Sequence, residues 1–346
     1  MSNHAPARVT MAEVARRSGV SPMTVSYCYN QPDRVAPETL RRVLEVAAAV
    51  GYLGPDPTAR SLRRRHNGAI GVVLGEHLEY AFEDPQARRF LAGVAEVCRE
   101  RGTGLNLIPT TGQDGDVERV RSAAVDGYIL WTTVETDPVL SALSGAGKPV
   151  AVQGGPAIPG GRLIGIDDRA SAAALAARTF SGARRPAVLS FPFDRDRRAR
   201  LEIGPDAGLI EFPITRERLA GVYDHCREAG IDPASLPVAV AARNDRADAA
   251  AMVDTLLGTC EPDAVVAMSD QLAFAVLDAV RHRRLRVPGD VAVAGWDDGP
   301  DAEREGLTTI AQSLFDQGRA CALAALGDSP PGTPAAWSLV ARASTR

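Results

Sequence analysis

Residues 10–30 read Thr-Met-Ala-Glu-Val-Ala-Arg-Arg-Ser-Gly-Val-Ser-Pro-Met-Thr-Val-Ser-Tyr-Cys-Tyr-Asn, and this stretch predicts two short helices joined by a tight turn. Thr10, followed three residues later by Glu13, has the spacing of a capping box at a helix start. Gly19 predicts the end of that helix, because glycine adopts the left-handed conformation readily. Ser21, directly before a proline, predicts the cap of the next helix. Two short helices in this arrangement form a helix-turn-helix.

A third helix is required, because two helices of this length cannot bury a core by themselves. Residues 37–49 predict that helix, since Pro37 suits a first helical position. Apolar residues follow at helical spacing, namely Leu40, Val43, Leu44 and Ala47. We therefore expect residues 1–53 to form an all-α helical headpiece.

The charge of the chain is unevenly distributed. Residues 1–66 contain ten arginines and five acidic residues, whereas the whole chain of 346 residues has a net charge of −4. The remaining 280 residues therefore carry a net charge of −9. A basic segment on an acidic protein suits contact with the phosphates of nucleic acid. This distribution indicates double-stranded DNA as the partner of the headpiece.

Several short segments of the first 62 residues, taken in order, resemble one protein family. They are Val20-Ser21-Pro22, Thr24-Val25-Ser26, Asn30, Pro37-Glu38-Thr39, Gly51-Tyr52 and Ala59-Arg60-Ser61-Leu62. This set resembles the headpiece and hinge of the lactose-repressor (LacI/GalR) family of bacterial transcription regulators. The ordered set is more specific than a helix-turn-helix alone, for which a solvated helical hairpin without a ligand is the alternative interpretation.

The resemblance implies roles for individual residues of the second helix. The residues that set operator preference in the family correspond to Pro22, Met23 and Tyr27. The residues assigned to the DNA backbone are Thr10, Ser21, Thr24, Ser26 and Asn30. Most family members have arginine at the Tyr27 position, where it grips a guanine. Tyrosine cannot donate two bonds to guanine O6 and N7, a pair that contributes roughly 1–3 kcal/mol of discrimination. We therefore expect an operator that differs from the common consensus at that position.

Residues 54–67 are expected to form a hinge. Residues 58–64 have the composition of a short helix, which is marginal in water on its own. The resemblance implies that this helix orders on DNA and that two copies pack in the minor groove. Leu62 then corresponds to the side chain levered between base pairs, Ala59 to the small residue that lets the two helices approach, and Arg60 to a groove contact. A flexible basic tether is the alternative.

Strands and helices alternate from residue 69 onward, which predicts two doubly wound parallel sheets of α/β type. The predicted strands are 69–74, 104–108, 127–131, 149–153 and 163–166, then 186–191, 236–241, 263–267 and 290–295. The family shares such a two-lobe core with periplasmic sugar-binding proteins. We place the crossings between lobes near residues 167, 296 and 326. The core, 68–346, then has a first lobe of 68–167 with 297–325 and a second lobe of 168–296 with 326–346.

The resemblance also points to an effector site in the cleft between the lobes. Arg218 matches the family arginine that reaches the effector, and Asp297 matches the acid that accepts bonds from ligand hydroxyls. A guanidinium and a carboxylate together suit a polyhydroxylated ligand, although each can equally belong to a structural ion pair. Further candidates are Gln153 and Ser269 as polar contacts, and Tyr80, Phe82 and Trp296 as aromatic contacts or plain core. A sugar is favoured as effector, with a nucleoside or purine as the alternative.

Residues 192–214 are expected to form an inserted polar loop between a strand and the helix of Arg218. The loop is either a surface excursion or a cover over the mouth of the cleft. In the second case Arg197, Arg198 or Arg200 would contact the ligand.

Composition excludes several other classes of protein. The chain has no run of eighteen apolar residues, so we expect no membrane partner and a cytoplasmic location. Its five cysteines are scattered and indicate buried thiols, with no metal site and no cofactor. No Gly-x-Gly-x-x-Gly or Walker loop follows a predicted strand, which argues against an enzyme. A solute-binding protein or an enzyme on the same scaffold remains the competing class. We expect a homodimer, because no heptad-bearing tail follows the final predicted strand.

Overall fold

The computed structural model describes residues 9–54, 66–328 and 335–346. The chain forms two compact units, which divide between Asn67 and Gly68. The predicted hinge contacts Ala59, Arg60 and Leu62 lie outside the described residues and stay predictions. No helix in the described part of the chain is long and apolar enough to cross a membrane.

The headpiece contains the three predicted helices, α1 (Met11–Ser18), α2 (Pro22–Asn30) and α3 (Pro37–Ala49). The Oγ1 of Thr10 accepts from the backbone N–H of Glu13 at 3.3 Å, which is one half of the predicted capping box. The carboxylate of Glu13 accepts bonds from Arg16 and Arg17. The three helices bury a small common core, formed mainly by Val14, Ala15, Val25, Cys28, Val43 and Ala47.

The first lobe is built on a five-stranded parallel sheet with the order β2-β1-β3-β4-β5. Its strands are β1 (Ala69–Leu74), β2 (Gly104–Pro109), β3 (Gly127–Trp131), β4 (Val150–Gln153) and β5 (Arg162–Ile164). Its helices are α4 (Tyr80–Glu83), α5 (Pro85–Arg101), α6 (Asp116–Ser122) and α7 (Pro138–Ser144). The central strands are almost entirely buried, as the apolar runs in their sequences predict.

The second lobe is built on a seven-stranded sheet with the order β12-β11-β10-β9-β6-β8-β7. Its strands are β6 (Pro186–Ser190), β7 (Arg200–Ile203), β8 (Pro237–Val240), β9 (Ala264–Ala267), β10 (Ala292–Asp297), β11 (Thr308–Gln312) and β12 (Trp337–Val340). Its helices are α8 (Asp168–Thr179), α9 (Pro213–Glu228), α10 (Ala250–Cys260), α11 (Asp270–His282) and α12 (Pro300–Arg304). The five inner strands are parallel, whereas the edge strands β7 and β12 are antiparallel to their neighbours.

The predicted crossing near residue 296 is wrong. Strand β11 continues the second sheet, where Ala294 of β10 pairs with Thr308. Residues 297–312 therefore belong to the second lobe, and the chain returns to the first lobe only with α13 (Leu314–Ala325). Helix α13 packs closely on α5, and its Leu314 and Cys321 lie in the apolar core of the first lobe. Strand β11 begins with two buried threonines and lacks the apolar run by which the other buried strands were predicted.

The prediction of a polar loop over residues 192–214 is wrong in part. The segment contains the edge strand β7 and a short 3-10 helix, Ala207–Leu209. Strand β7 pairs antiparallel with β8, which satisfies one side of its backbone. Its charged residues pair with one another, since Arg200 bonds to Asp194 and Glu202.

The five cysteines are all free thiols. Four of them are buried, and Cys260 is half-buried. Burial raises the pKa of the Cys226 thiol to about 11, so that this group stays protonated at neutral pH.

Candidate functional site: a DNA-facing helix and an interlobe cleft

Helix α2 presents three of its side chains to solvent. Pro22 is exposed, Met23 is 54% exposed and Tyr27 is 37% exposed. The opposite face of the helix is buried through Val25 and Cys28. The residues that the family resemblance assigns to base reading therefore share one open face of the headpiece.

The polar residues assigned to the DNA backbone all take part in local hydrogen bonds. Ser21 caps α2, because its Oγ accepts from the N–H of Thr24 at 3.1 Å. The two hydroxyls also bond to each other at 2.9 Å. At the other end, the Asn30 amide donates to the carbonyl and hydroxyl oxygens of Ser26 at 2.9 and 3.2 Å. These contacts fix the ends of the helix that carries the exposed face.

A cleft of about 1140 Å³ lies between the two lobes of the core. Four predicted effector contacts line it: Tyr80 and Gln153 from the first lobe, and Arg218 and Asp297 from the second. Gln153 ends β4 and Asp297 ends β10, so both lie at the carboxyl ends of parallel strands. Open α/β sheets bind ligands at these ends, where the helices on both faces leave a crevice.

The other three predicted effector residues lie elsewhere. Phe82 is 61% exposed and is not part of the cleft lining in the described chain. Ser269 is buried as the cap of α11, where its Oγ accepts from the N–H of Leu272 at 3.1 Å. Trp296 is also buried, beneath Arg218, and belongs to the core of the second lobe. The structure thus supports the core interpretation of Trp296.

Arg218 is held in a fixed orientation by three neighbours. Its Nε donates to Asp168 Oδ1 at 2.8 Å, and its Nη1 donates to the carbonyl of Met268 at 2.6 Å. The guanidinium carbon lies 3.8 Å from the ring centroid of Trp296. Burial raises the pKa of the Asp168 carboxyl, an effect that Arg218 opposes. Arg218 is therefore both the predicted cleft residue and a member of a buried ion pair.

Asp297 occupies a strained position at the end of β10, with φ of 109°. Its Oδ1 accepts from the Gln312 amide at 2.9 Å. Burial raises the pKa of Asp297 well above its ordinary value, with Arg218 opposing and Asp270 adding to the shift. Gln153 donates to Gln317 at 2.9 Å, and no group in the described residues donates to its buried Oε1.

Residues that the sequence did not single out also line the cleft. Trp131 and Phe191 add aromatic surface, and the Trp131 ring lies 5.9 Å from that of Tyr80. Trp131 ends a predicted strand, so its position at the carboxyl edge of the sheet was available as a signal. The position of Asn244 could not be predicted in this way, because Asn244 lies in a loop and the strand before that loop does not indicate where the loop turns.

Two arginines of the segment between β6 and α9 reach across to the first lobe. Arg195 pairs with Asp137, and Arg197 pairs with Glu76. The Asn244 amide also crosses, donating to Asp84 Oδ2 at 2.7 Å. Arg195 and Arg197 line the cleft, so of the two alternatives for this segment the structure favours a cover over the cleft to a surface excursion.

The other arginines of this segment do not line the cleft. Arg198 is mostly exposed and pairs with Asp196, while Arg200 belongs to the β7 ion pairs.

An exposed helix-turn-helix face and a two-lobe cleft core on one chain define the class of ligand-responsive DNA-binding regulators. The family model described as bacterial regulatory proteins, lacI family, matches residues 10–54, and a periplasmic binding protein-like domain matches residues 206–345. The chain is 36% identical over 346 residues to an HTH-type transcriptional regulator of Mycolicibacterium smegmatis, covering 96% of this chain and 93% of that protein. The chain belongs to the LacI family and is a DNA-binding transcriptional regulator.

Solved structures of similar proteins have the same architecture. A LacI-family transcriptional regulator from Corynebacterium glutamicum is 28% identical, with a TM-score of 0.74 over 97% of this chain and 98% of that one. The CelR-cellobiose complex, also a transcriptional regulator, is 26% identical, with a TM-score of 0.64 over 97% of this chain and 100% of that one. The predicted fold class and family are thereby confirmed.

Proposed function

We propose that this regulator, acting in the cytoplasm where its DNA target lies, is a repressor or dual regulator that binds a pseudopalindromic operator as a homodimer. A small hydroxyl-rich effector, a sugar in preference to a nucleoside or purine, occupies the interlobe cleft and changes the affinity for DNA. The protein acts by binding and not by catalysis.

The observation that carries this proposal is the composition of the cleft. Tyr80, Gln153, Arg218 and Asp297 enter it from both lobes. Their side chains offer both donors and acceptors, and aromatic rings provide an apolar surface beside them. Sugar rings have polar edges and apolar faces, and such a mixed lining suits both. The complex of the similar regulator CelR with cellobiose supports a sugar as the ligand.

The operator proposal rests on the exposed face of α2. A recognition helix of nine residues contacts only a few base pairs from its N-terminal end. Two copies related by twofold symmetry double that contact and require a palindromic site. Pro22, Met23 and Tyr27 are the proposed base-reading residues, and Thr10, Ser21, Thr24, Ser26 and Asn30 are the proposed contacts to the backbone.

Ligand control would act through the relative positions of the lobes. Arg197 and Asn244 of the second lobe bond to Glu76 and Asp84 of the first lobe, and these bonds stabilise the present arrangement of the lobes over a more open one. A ligand that contacts both lobes binds this arrangement better than an open one. The ligand can change the affinity for DNA only to the extent that its own affinities for the two lobe arrangements differ.

Fluorescence anisotropy tests the proposal directly. The purified full chain is titrated into labelled DNA from upstream of its own gene, at two salt concentrations, with and without sugars and nucleosides. We expect salt-sensitive binding that one ligand changes, because phosphate contacts release counterions. A protein that binds a ligand but ignores DNA would instead support a solute-binding role, and turnover of the ligand would support an enzyme.

A further inference from the structure

Carboxylates outnumber guanidiniums in the lining of the cleft. Eight carboxylates line it: Glu76, Glu79, Glu83, Asp84, Asp196, Asp245, Asp248 and Asp297. Four guanidiniums line it: Arg195, Arg197, Arg218 and Arg243. Acidic side chains therefore exceed basic ones in the lining by four.

Three of the four guanidiniums are already paired with a carboxylate. Arg218 pairs with Asp168, which lies outside the lining. Arg195 pairs with Asp137, which also lies outside it, and Arg197 pairs with Glu76. An anionic ligand would have to compete with these carboxylates for each guanidinium.

Arg243, the fourth guanidinium, does not reverse this balance. Its side chain is exposed, and it shares its loop with Asp245 and Asp248. Solvent screening weakens the attraction of an exposed charge for a ligand deeper in the cleft.

The deeper part of the cleft presents acceptors to a ligand. The buried Oε1 of Gln153 receives no hydrogen bond from any described residue. Asp297 accepts from Gln312 through Oδ1, and no described group donates to its Oδ2. Hydroxyl and ammonium groups can donate to these oxygens, whereas the oxygens of a phosphate dianion only accept. Burial raises the pKa of Asp297; Arg218 opposes this shift, and the carboxylates Asp270 and Asp84 add to it.

We propose that the cleft takes an uncharged or cationic hydroxyl-rich effector and rejects the phosphorylated form of the same compound. This inference rests on the cleft being the effector site of the proposed function. A phosphate monoester carries close to two negative charges at neutral pH, and the excess of carboxylates in the lining would repel them. A primary amine in place of a hydroxyl would remove that repulsion and could donate to Asp297.

Isothermal titration calorimetry of the full chain with matched ligands tests this inference. The compounds are glucose, glucosamine and glucose 6-phosphate, ribose and ribose 5-phosphate, cellobiose and cellobiose 6-phosphate, and adenosine and its 5′-monophosphate. For any parent compound that binds, we expect the phosphorylated form to bind at least ten times more weakly. Glucosamine should bind at least as tightly as glucose. A phosphorylated form that binds as tightly as its parent, or more tightly, would overturn the inference while leaving the effector site in place.

A pair of variants separates failure of this inference from failure of the proposed function. Asp297→Asn removes a cleft carboxylate. It should therefore weaken binding of the parent compound and reduce the ratio between the affinities for the parent compound and for its phosphorylated form. The control is Asp254→Asn, because Asp254 is an exposed residue of α10 that does not line the cleft. If Asp297→Asn changes neither the affinity for the parent compound nor the ratio of the two affinities, the ligand binds elsewhere and both proposals fail. Both also fail if no compound of the panel binds.

Discussion

Tyr27 and Asp270 lie in opposite environments, one exposed on the headpiece and the other buried in the core. Tyr27 lies on the open face of α2, where part of its ring is accessible to a partner. Asp270 is buried beside the cleft carboxylate Asp297, where it accepts from the Gly299 N–H and from the Thr309 hydroxyl, both at 2.8 Å. A change at the first residue should affect DNA specificity, whereas a change at the second should alter how the stability of the core depends on pH.

Tyr27→Arg should create a preference for guanine at the matching operator position. Arginine donates two bonds to guanine O6 and N7, which contributes roughly 1–3 kcal/mol of discrimination. Selection of binding sites from a random pool, carried out with both proteins, measures the change. Tyr27→Phe serves as the control, because it keeps the ring and supplies no donor. An unchanged set of selected sites for Tyr27→Arg would show that this position does not read bases.

Asp270 should make the stability of the core fall as pH rises. Burial raises the pKa of its carboxyl to about 7, with Asp298 adding to the shift and hydrogen bonds from Gly299 and Thr309 opposing it. An unfolded aspartate has a pKa of about 3.9, so between about pH 4 and pH 7 the native state binds more protons than the unfolded state. The free energy of unfolding therefore decreases as pH rises through this window.

Urea unfolding of wild type and Asp270→Asn, at half-unit steps from pH 4.5 to pH 7.5, measures the contribution of this residue. The variant cannot titrate at this position, so its stability should depend less steeply on pH. Other buried carboxyls, such as Asp84 and Asp168, are present in both proteins and largely cancel in the difference. Parallel pH profiles for the two proteins would assign the coupling to a different group.

Close packing of helices is the main feature at the scale of elements. Helix α13 lies against α5 so tightly that a Cβ on Gly318 would clash with the carbonyl oxygen of Phe90. A Cβ on Gly93 would clash in the same way with the carbonyl oxygen of Phe315. These two glycines allow the backbones of the two helices to approach. Helix α13, which follows the second-lobe strand β11 in the chain, can therefore complete the core of the first lobe.

Gly318→Ala should destabilise the core by about 1–3 kcal/mol, because overpacking forces the two helices apart. Gly258→Ala is the matched control, since Gly258 is exposed in α10 and a Cβ there meets nothing within 4 Å. That control should stabilise the protein by about 0.4–1 kcal/mol, because alanine restricts the unfolded chain. Chemical denaturation of the three proteins distinguishes the effects. Equal stability of Gly318→Ala and wild type would mean that the helices separate without cost.

At the scale of the whole core, ion pairs across the cleft join the two lobes. Arg195 with Asp137 and Arg197 with Glu76 join the lobes at the mouth, and all four side chains are largely shielded from water. Arg216 of α9 also forms an ion pair with Glu135 of the first lobe, at 2.6 Å. Three ion pairs and the Asn244 bond therefore favour this arrangement of the lobes over a more open one before any ligand contributes.

The double variant Arg195→Ala with Arg197→Ala should shift the core toward an open arrangement. Small-angle X-ray scattering should record a larger radius of gyration for the isolated protein. Effector affinity should fall by roughly tenfold, if each ion pair contributes about 0.7 kcal/mol to the closed state. Arg198→Ala is the control, because Arg198 is exposed and pairs within its own segment. An unchanged radius of gyration and affinity would show that these pairs do not control closure.

The sequence by itself determined the elements whose signals are local. Capping by Thr10 and Ser21, the left-handed Gly19 and the helical spacing of apolar residues were sufficient for the headpiece. Apolar runs were sufficient for the buried parallel strands, because a strand covered on both faces must be apolar throughout. The predicted strand ends then placed Gln153 and Asp297 each at the carboxyl edge of its own sheet, which is where a cleft between the lobes was expected.

Only the tertiary structure decided which distant segments meet. Asn244 and Asp84 lie 160 residues apart, and nothing in either segment indicates the bond between them. Strand β11 joins the second sheet because its buried threonines find partners there, such as Asp270 for Thr309. Capping and periodicity act within a few residues, whereas strand order, crossings and contacts between lobes depend on how whole elements pack. Sequence patterns therefore predicted the parts of this regulator, and packing determined how the cleft is closed.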